Sequence, residues 1–155
     1  MLPELEKILS DKRLKILFAG IGNVLKSDDG AGVYICRKIR NSSRIQSLCA
    51  EVSIENYIGK INKLKPDILI LIDCIDIDSP AGTCKFLQAD KIRDMTFNTH
   101  NISLKKLKDF FEMPVYILGI QPEKIDFGEN LSYIVKEVSD KIINLINKQE
   151  VSHGY

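Results

Sequence analysis

The chain has 155 residues, 45% hydrophobic and 28% charged, an ordinary balance for a globular domain. Its 22 basic residues nearly cancel its 21 acidic ones. The net charge of +1 leaves no global field to hold nucleic acid or an anionic membrane. This length supports one domain with a substantial core and is short for two.

The longest apolar run, Ile68 to Ile72, is strand-sized and too short to span a membrane. The first residues, MLPELEKILSDKRLK, lack the apolar core of a secretory signal. A cytoplasmic location is therefore expected, with no membrane partner and no nucleic acid. Cys36, Cys49, Cys74 and Cys84 form no C-x-x-C pair, which argues against a zinc ribbon or thioredoxin-like motif. They are expected to be small buried side chains rather than disulfides.

In chain order, Leu2, Leu5, Ile8 and Leu9 recur at helical spacing and predict a short amphipathic helix. KILFAGI (15–21) reads as a buried strand. GAGVYICRKIRNS (30–42) reads as a helix with Val33, Cys36 and Ile39 inside and Arg37 and Arg40 outside. AEVSIEN (50–56) alternates with period two and predicts a second strand. IGKINKLK (58–65) reads as a short helix ended by Pro66. DILILID (67–73) is nearly all apolar, as in a central parallel strand covered on both faces.

GTCKFLQA (82–89) predicts a strand after the SPAG turn, SLKKLKDFFE (103–112) a helix, and VYILGI (115–120) another buried strand. LSYIVKEVSDKIINLINKQ (131–149) predicts a long amphipathic helix with Ile134, Val138, Ile142, Leu145 and Ile146 on one stripe. Residues 1–150 read as a single α/β domain and 151–155 as a loose tail.

Strand and helix alternation predicts a three-layer α/β domain with a mostly parallel sheet. In such sheets ligands bind beyond the carboxyl ends of the strands. Three segments fall there: GIGNVLKSDDG, DCIDIDSPAG and GIQPE.

The first segment opens like a dinucleotide site. Gly20 and Gly22 are present, but Leu25 occupies the third glycine position, and no G-K-S/T follows. Two adjacent carboxylates would also repel a pyrophosphate, so no nucleotide is expected. The loop reads instead as one that presents acids. Its glycines allow a sharp turn. Asp28 is placed to cap the following helix, and Asp29 lies in the first turn with its side chain free to point back over the strand end.

Asp73 ends the ILILID run, where a carboxylate is costly to bury unless it is paired, hydrogen-bonded or bound to a metal. Asp76 and Asp78 follow in a loop, with Asp76 a reserve ligand. Of the two histidines, His153 lies in the tail and His100 in the polar stretch FNTHNISL. One imidazole with two carboxylates makes a mixed donor set for a divalent transition metal. The competing signatures G-x-S-x-G and H-E-x-x-H do not occur. A Cys74/His100 dyad is disfavoured, because the acids of IDCID would raise the thiol's pKa.

GIGNVLKSDDGAG, LILIDCIDI, NTHNISL and LGIQPE stand in the order and spacing of the NiFe-hydrogenase maturation endopeptidases. The chain resembles that family over residues 14–145, its hydrogenase-3-type branch most of all. The resemblance implies an α/β/α sandwich of about five strands. It also implies a protease that removes a C-terminal extension from a hydrogenase large-subunit precursor after nickel insertion. The family's metal-contacting positions fall on Asp29, Asp73 and His100, expected here as both catalytic residues and metal ligands. Gly20, Gly22, Asn23, Asp28 and Gly30 are expected to build the loop that carries Asp29.

The metal is expected to be nickel brought by the substrate, and the partner the precursor, met by a monomer. The nickel would polarise the scissile carbonyl or activate a water. Two alternatives stay open: a metallohydrolase with its own metal acting on another substrate, and a non-catalytic nickel-centre binding module. The chain departs from the family in carrying SIENYIGK where a glycine-rich segment usually follows the second strand. The leading MLPELEKILSDKR is an extension relative to the shortest members.

Overall fold

The computed structural model describes residues 1–91 and 104–151. Five strands, β1 (Ile16–Ile21), β2 (Ile45–Glu51), β3 (Ile68–Cys74), β4 (Cys84–Gln88) and β5 (Val115–Ile120), form one sheet in the order β2-β1-β3-β5-β4. The first four in that order are parallel, and the edge strand β4 runs antiparallel to β5. The helices are α1 (Pro3–Ser10), α2 (Ala31–Lys38), α3 (Ile58–Leu64), α4 (Leu104–Leu107) and α5 (Tyr133–Val151).

Side chains alternate across a strand, and the sheet sorts them into two cores. Ile16, Phe18, Ile70, Ile72, Leu118 and Ile120 join the core shared with α1, α2 and α5. Leu17, Ala19, Ile21, Leu69, Leu71 and Ile117 join the core of α3 and α4. With both faces covered, every residue of β1 and β3 is buried, which is why their sequences are continuous apolar runs rather than alternating ones.

Four elements differ from the sequence reading. The second strand is Ile45–Glu51 rather than 50–56, and Ile54–Tyr57 forms a 3-10 turn leading into α3. Pairing with β1 from Ile16↔Ile45 to Ile21↔Glu51 sets this register. As an edge strand β2 tolerates exposed Gln46, and Glu51, at φ 55, ends it. The helix expected over 30–42 stops at Lys38, where Asn147 of α5 donates to Lys38 O (3.0 Å) and accepts from Arg40 N–H (2.9 Å).

The helix expected over 103–112 is, within its described part, the single turn α4 followed by a 3-10 turn at Lys108–Phe110. On α5, Ile134 is exposed, and the inward stripe is Val135, Ile142, Ile143, Leu145 and Ile146. That helix reaches Val151, so it enters the segment read as a tail, whose residues 152–155 lie outside the described ones.

All four cysteines are free thiols; Cys36 and Cys74 are buried as expected, whereas Cys49 on edge strand β2 and Cys84 on edge strand β4 are half-buried. Among the described residues no helix is long and apolar enough to cross a membrane.

Glycines seat α2 on the sheet. A Cβ at Gly20 would lie 2.4 Å from Gly32 O, and one at Gly32 would lie 2.2 Å from Ile72 O. Helix backbone therefore rests directly on strand backbone. This contact brings the turn preceding α2 to the carboxyl ends of β1 and β3.

Candidate functional site

The β1–α2 connection is built around Asp29. Gly22 has φ +137, and a Cβ there would lie 1.8 Å from Asp29 O, so only glycine lets the chain fold over that residue. Asn23 N–H donates to Asp29 Oδ2 (2.8 Å), and Asn23 Oδ1 accepts from Leu25 N–H (2.9 Å). Gly30 packs against Val24, where a Cβ would meet its Cα at 3.0 Å.

The connection is also laced to the β5–α5 segment. Gly128 N–H donates to Leu25 O (2.8 Å), and Ser27 N–H donates to Gly128 O (2.7 Å). This pairing ties Leu25 to Gly128, the residue after Phe127, which is 86% exposed.

Asp28 does not cap α2. That helix begins after Gly30 with no side-chain cap, and a 3-10 turn at Ser27–Gly30 precedes it. The turn's first N–H groups are already satisfied, because Ser27 N–H donates to Gly128 O and Asp28 N–H donates to Lys124 O. The Asp28 carboxyl is thus free to serve the other segment. Fully buried, its Oδ1 accepts from Ser132 N–H (2.7 Å). Its Oδ2 accepts from Glu123 N–H (2.9 Å), Lys124 N–H (3.1 Å) and Ser132 Oγ–H (2.8 Å). Asp28 is a structural clamp joining the connection after β1 to the start of α5.

Asp73 pairs with Gly119 near the end of β3 and is fully buried. Asp29 is 8% exposed. Between them the structure supplies a local probe, the buried thiol of Cys74. Burial pushes its pKa up most, and the negative charges of Asp73, Asp29, Asp28 and Asp76 push it further. Several acids thus lie near one strand end, and their charge together with burial disfavours the thiolate form that a nucleophile needs.

A cleft of about 250 Å³ opens at this edge, lined by Asp29, Cys74, Asp76, Gln121, Lys124 and Ile125 among others. Asp76 is exposed, and its Oδ1 accepts from Asp78 N–H (3.0 Å), so it closes a turn. Gln121 belongs to the GIQPE segment, yet the sequence singled out no role for it. The one available signal was its position immediately after a buried parallel strand.

The structure therefore gathers Asp29 and Asp73 at the carboxyl edge, with Gly20, Gly22, Asn23, Asp28 and Gly30 shaping the loop. His100 lies outside the described residues. Among the described residues no group of three or more His, Cys, Asp or Glu side chains is placed to hold a metal ion.

Fold and site together define a small α/β/α domain whose working edge is the acid-walled carboxyl end of a mostly parallel sheet. A family model described as HycI, hydrogenase maturation protease, matches residues 52–149. A candidate hydrogenase maturation protease of Methanocaldococcus jannaschii is 33% identical over 156 residues, spanning 92% of this chain and 90% of that protein. The hydrogenase 3 maturation protease of Escherichia coli K12 is 26% identical over 141 residues, spanning 87% of this chain and 90% of that protein. The crystal structure of a NiFe hydrogenase maturation protease, HycI from Thermococcus kodakarensis KOD1, superposes with a TM-score of 0.83. It does so at 25% identity, over 94% of this chain and 97% of that one. The chain belongs to the hydrogenase maturation protease family.

Proposed function

We propose that this endopeptidase removes a C-terminal extension from the large-subunit precursor of a NiFe hydrogenase after nickel insertion. In this reading Asp29, Asp73 and His100 contact the nickel centre carried by the precursor, so nickel is part of the substrate rather than a resident cofactor. The protein meets its precursor as a cytoplasmic monomer and uses no nucleotide.

The observation that carries the reading is the placement of two buried acids at the carboxyl end of β3, with Asp73 on the strand beside Cys74 and Asp29 in the same cleft wall as Cys74. Like charges brought together in a poorly solvated place repel one another, and a cation delivered there relieves the repulsion. Carboxylate and imidazole donors together suit a divalent transition metal. A protein substrate also fits the apolar surface here, since Ile125 lines the cleft and is half exposed.

In the complex, Asp29 and Asp73 supply negative donors, and His100 supplies a neutral nitrogen whose protonation state makes binding depend on pH. The metal's chemistry is to polarise the scissile carbonyl or lower the pKa of a water.

The test is processing of nickel-loaded precursor by Asp29→Asn, Asp73→Asn and His100→Ala, followed by mass. Each variant is expected to leave the precursor whole. A well-folded variant that processes at the wild-type rate removes its residue from the site.

A further inference from the structure

Gln121 follows β5 directly, lines the cleft with Asp29 and is 9% exposed. Its backbone is held on both sides, with its N–H donating to Thr83 O (2.8 Å) and its carbonyl accepting from Gly82 N–H (2.9 Å). Its side-chain Oε1 accepts from the buried Ile77 N–H at 2.7 Å. That bond fixes the amide's orientation, because a backbone N–H requires an oxygen opposite it and an NH2 group cannot accept. The NH2 end must therefore face the other way. Among the described residues its protein contact is the neighbouring Pro122 carbonyl at 3.5 Å, beyond the usual range for an N–H···O bond. A donor of fixed direction, poorly matched and nine-tenths buried, stands at the wall of a cleft otherwise rich in acids.

We propose that Gln121 is a catalytic residue whose Nε2–H donates to the scissile carbonyl oxygen of the precursor. This rests on the processing function proposed above. A peptide carbonyl entering a cleft bordered by Asp29, Asp76 and Glu123 meets carboxylates that repel its oxygen; Lys124 also lines the cleft on a long flexible stem, and the Gln121 amide adds a neutral donor of fixed direction. As water adds to the carbonyl carbon, the C=O π pair moves onto that oxygen, where the preplaced N–H stabilises it. When the C–N bond breaks, the pair returns. One proton of the water ends on the leaving amine and the other on the new carboxyl group. Gln121 neither gains nor loses a proton.

Two variants separate this role from support of the β3–β4 connection. Gln121→Glu keeps an acceptor for Ile77 N–H and removes the donor, and Gln121→Met removes both without adding charge. Nickel-loaded precursor is mixed with each in single turnover, and precursor binding and thermal unfolding are measured alongside. Both variants are expected to cleave about 100- to 1,000-fold more slowly while staying folded at the assay temperature, with the precursor affinity of the uncharged Gln121→Met within threefold of wild type. Cleavage within threefold of wild type by either folded variant overturns the role.

A second measurement does not depend on those variants. In the Asp29→Asn protein, the Gln121 side-chain amide resonances are expected to shift when nickel-loaded precursor binds, and unmoved resonances in the bound complex overturn the role. Wild-type protein that leaves loaded precursor whole refutes the processing function and this inference with it. Wild-type cleavage with unimpaired variants refutes the role of Gln121 alone.

Discussion

Replacing Asp28 with asparagine is expected to destabilise the fold far more than the same change at Asp29. Asp28 is fully buried, and both its oxygens are occupied, by the N–H groups of Glu123, Lys124 and Ser132 and by the Ser132 hydroxyl. An asparagine keeps one acceptor and turns an NH2 group toward N–H donors. At least one backbone donor is left facing another, and the remaining bonds lose their charge assistance. Hydrogen bonds to charged groups are worth about 1.5–3 kcal/mol and stranded donors about 1–3 kcal/mol, so the loss should be about 2–4 kcal/mol. For a chain of this size that lowers Tm by about 4–16 °C.

Among the described residues Asp29 accepts a single hydrogen bond, from Asn23 N–H at 2.8 Å. An asparagine oxygen can take it over, so the expected cost is below about 1 kcal/mol. Urea unfolding followed by circular dichroism measures both losses, and the precursor assay measures activity. Asp28→Asn should lose stability, while Asp29→Asn should keep stability and lose processing. An Asp28→Asn protein as stable as wild type, or an Asp29→Asn protein less stable than Asp28→Asn, would refute the division of roles.

Gly22→Ala should lose both stability and processing, because its Cβ would overlap Asp29 O at 1.8 Å on a backbone at φ +137. Backbone strain alone costs about 1–3 kcal/mol, and a normal unfolding curve with full activity would contradict this. Cys74→Ala should process precursor within about threefold of wild type, since a buried thiol held protonated is a poor nucleophile. Abolished processing in a folded Cys74→Ala protein would return the thiol to the mechanism. Asp140 is held below the ordinary carboxylate range first by the Tyr34 hydroxyl, at 2.6 Å, and then by Lys136. Its contribution to stability is therefore present above the unfolded-state pKa and is lost as pH falls through the folded one. Tyr34→Phe should raise the Asp140 pKa in a carbon-detected NMR titration, and an unchanged midpoint would deny the hydroxyl its part.

The parts of the fold that face apolar surroundings on both sides were legible in the sequence. The runs around Leu17 and Leu69 could only be central strands, and the acid ending the second run stood out because burial makes it costly. What could not be read depended on partners distant in the chain. β2 carries the exposed Gln46 because an edge strand tolerates it, and its register comes from Ile16 and its neighbours rather than from local periodicity. Asp28 looked like a local helix cap, but its partners are about a hundred residues away, beyond any short-range pattern. Gln121 was visible as a letter in GIQPE, but the direction of its amide is set by Ile77, across the sheet edge. The glycines of the first loop were legible as a turn, whereas their role in seating α2 on β3 required the backbone contact at Ile72.

The most direct test uses purified protein and the hydrogenase large-subunit precursor, nickel-loaded in one sample and nickel-free in the other, with mass spectrometry of both. Loss of one defined C-terminal peptide from the loaded sample alone is the expected result. Cleavage in both samples would contradict nickel recognition through Asp29, Asp73 and His100. An intact precursor in both, with loading and binding verified, would contradict the processing function itself.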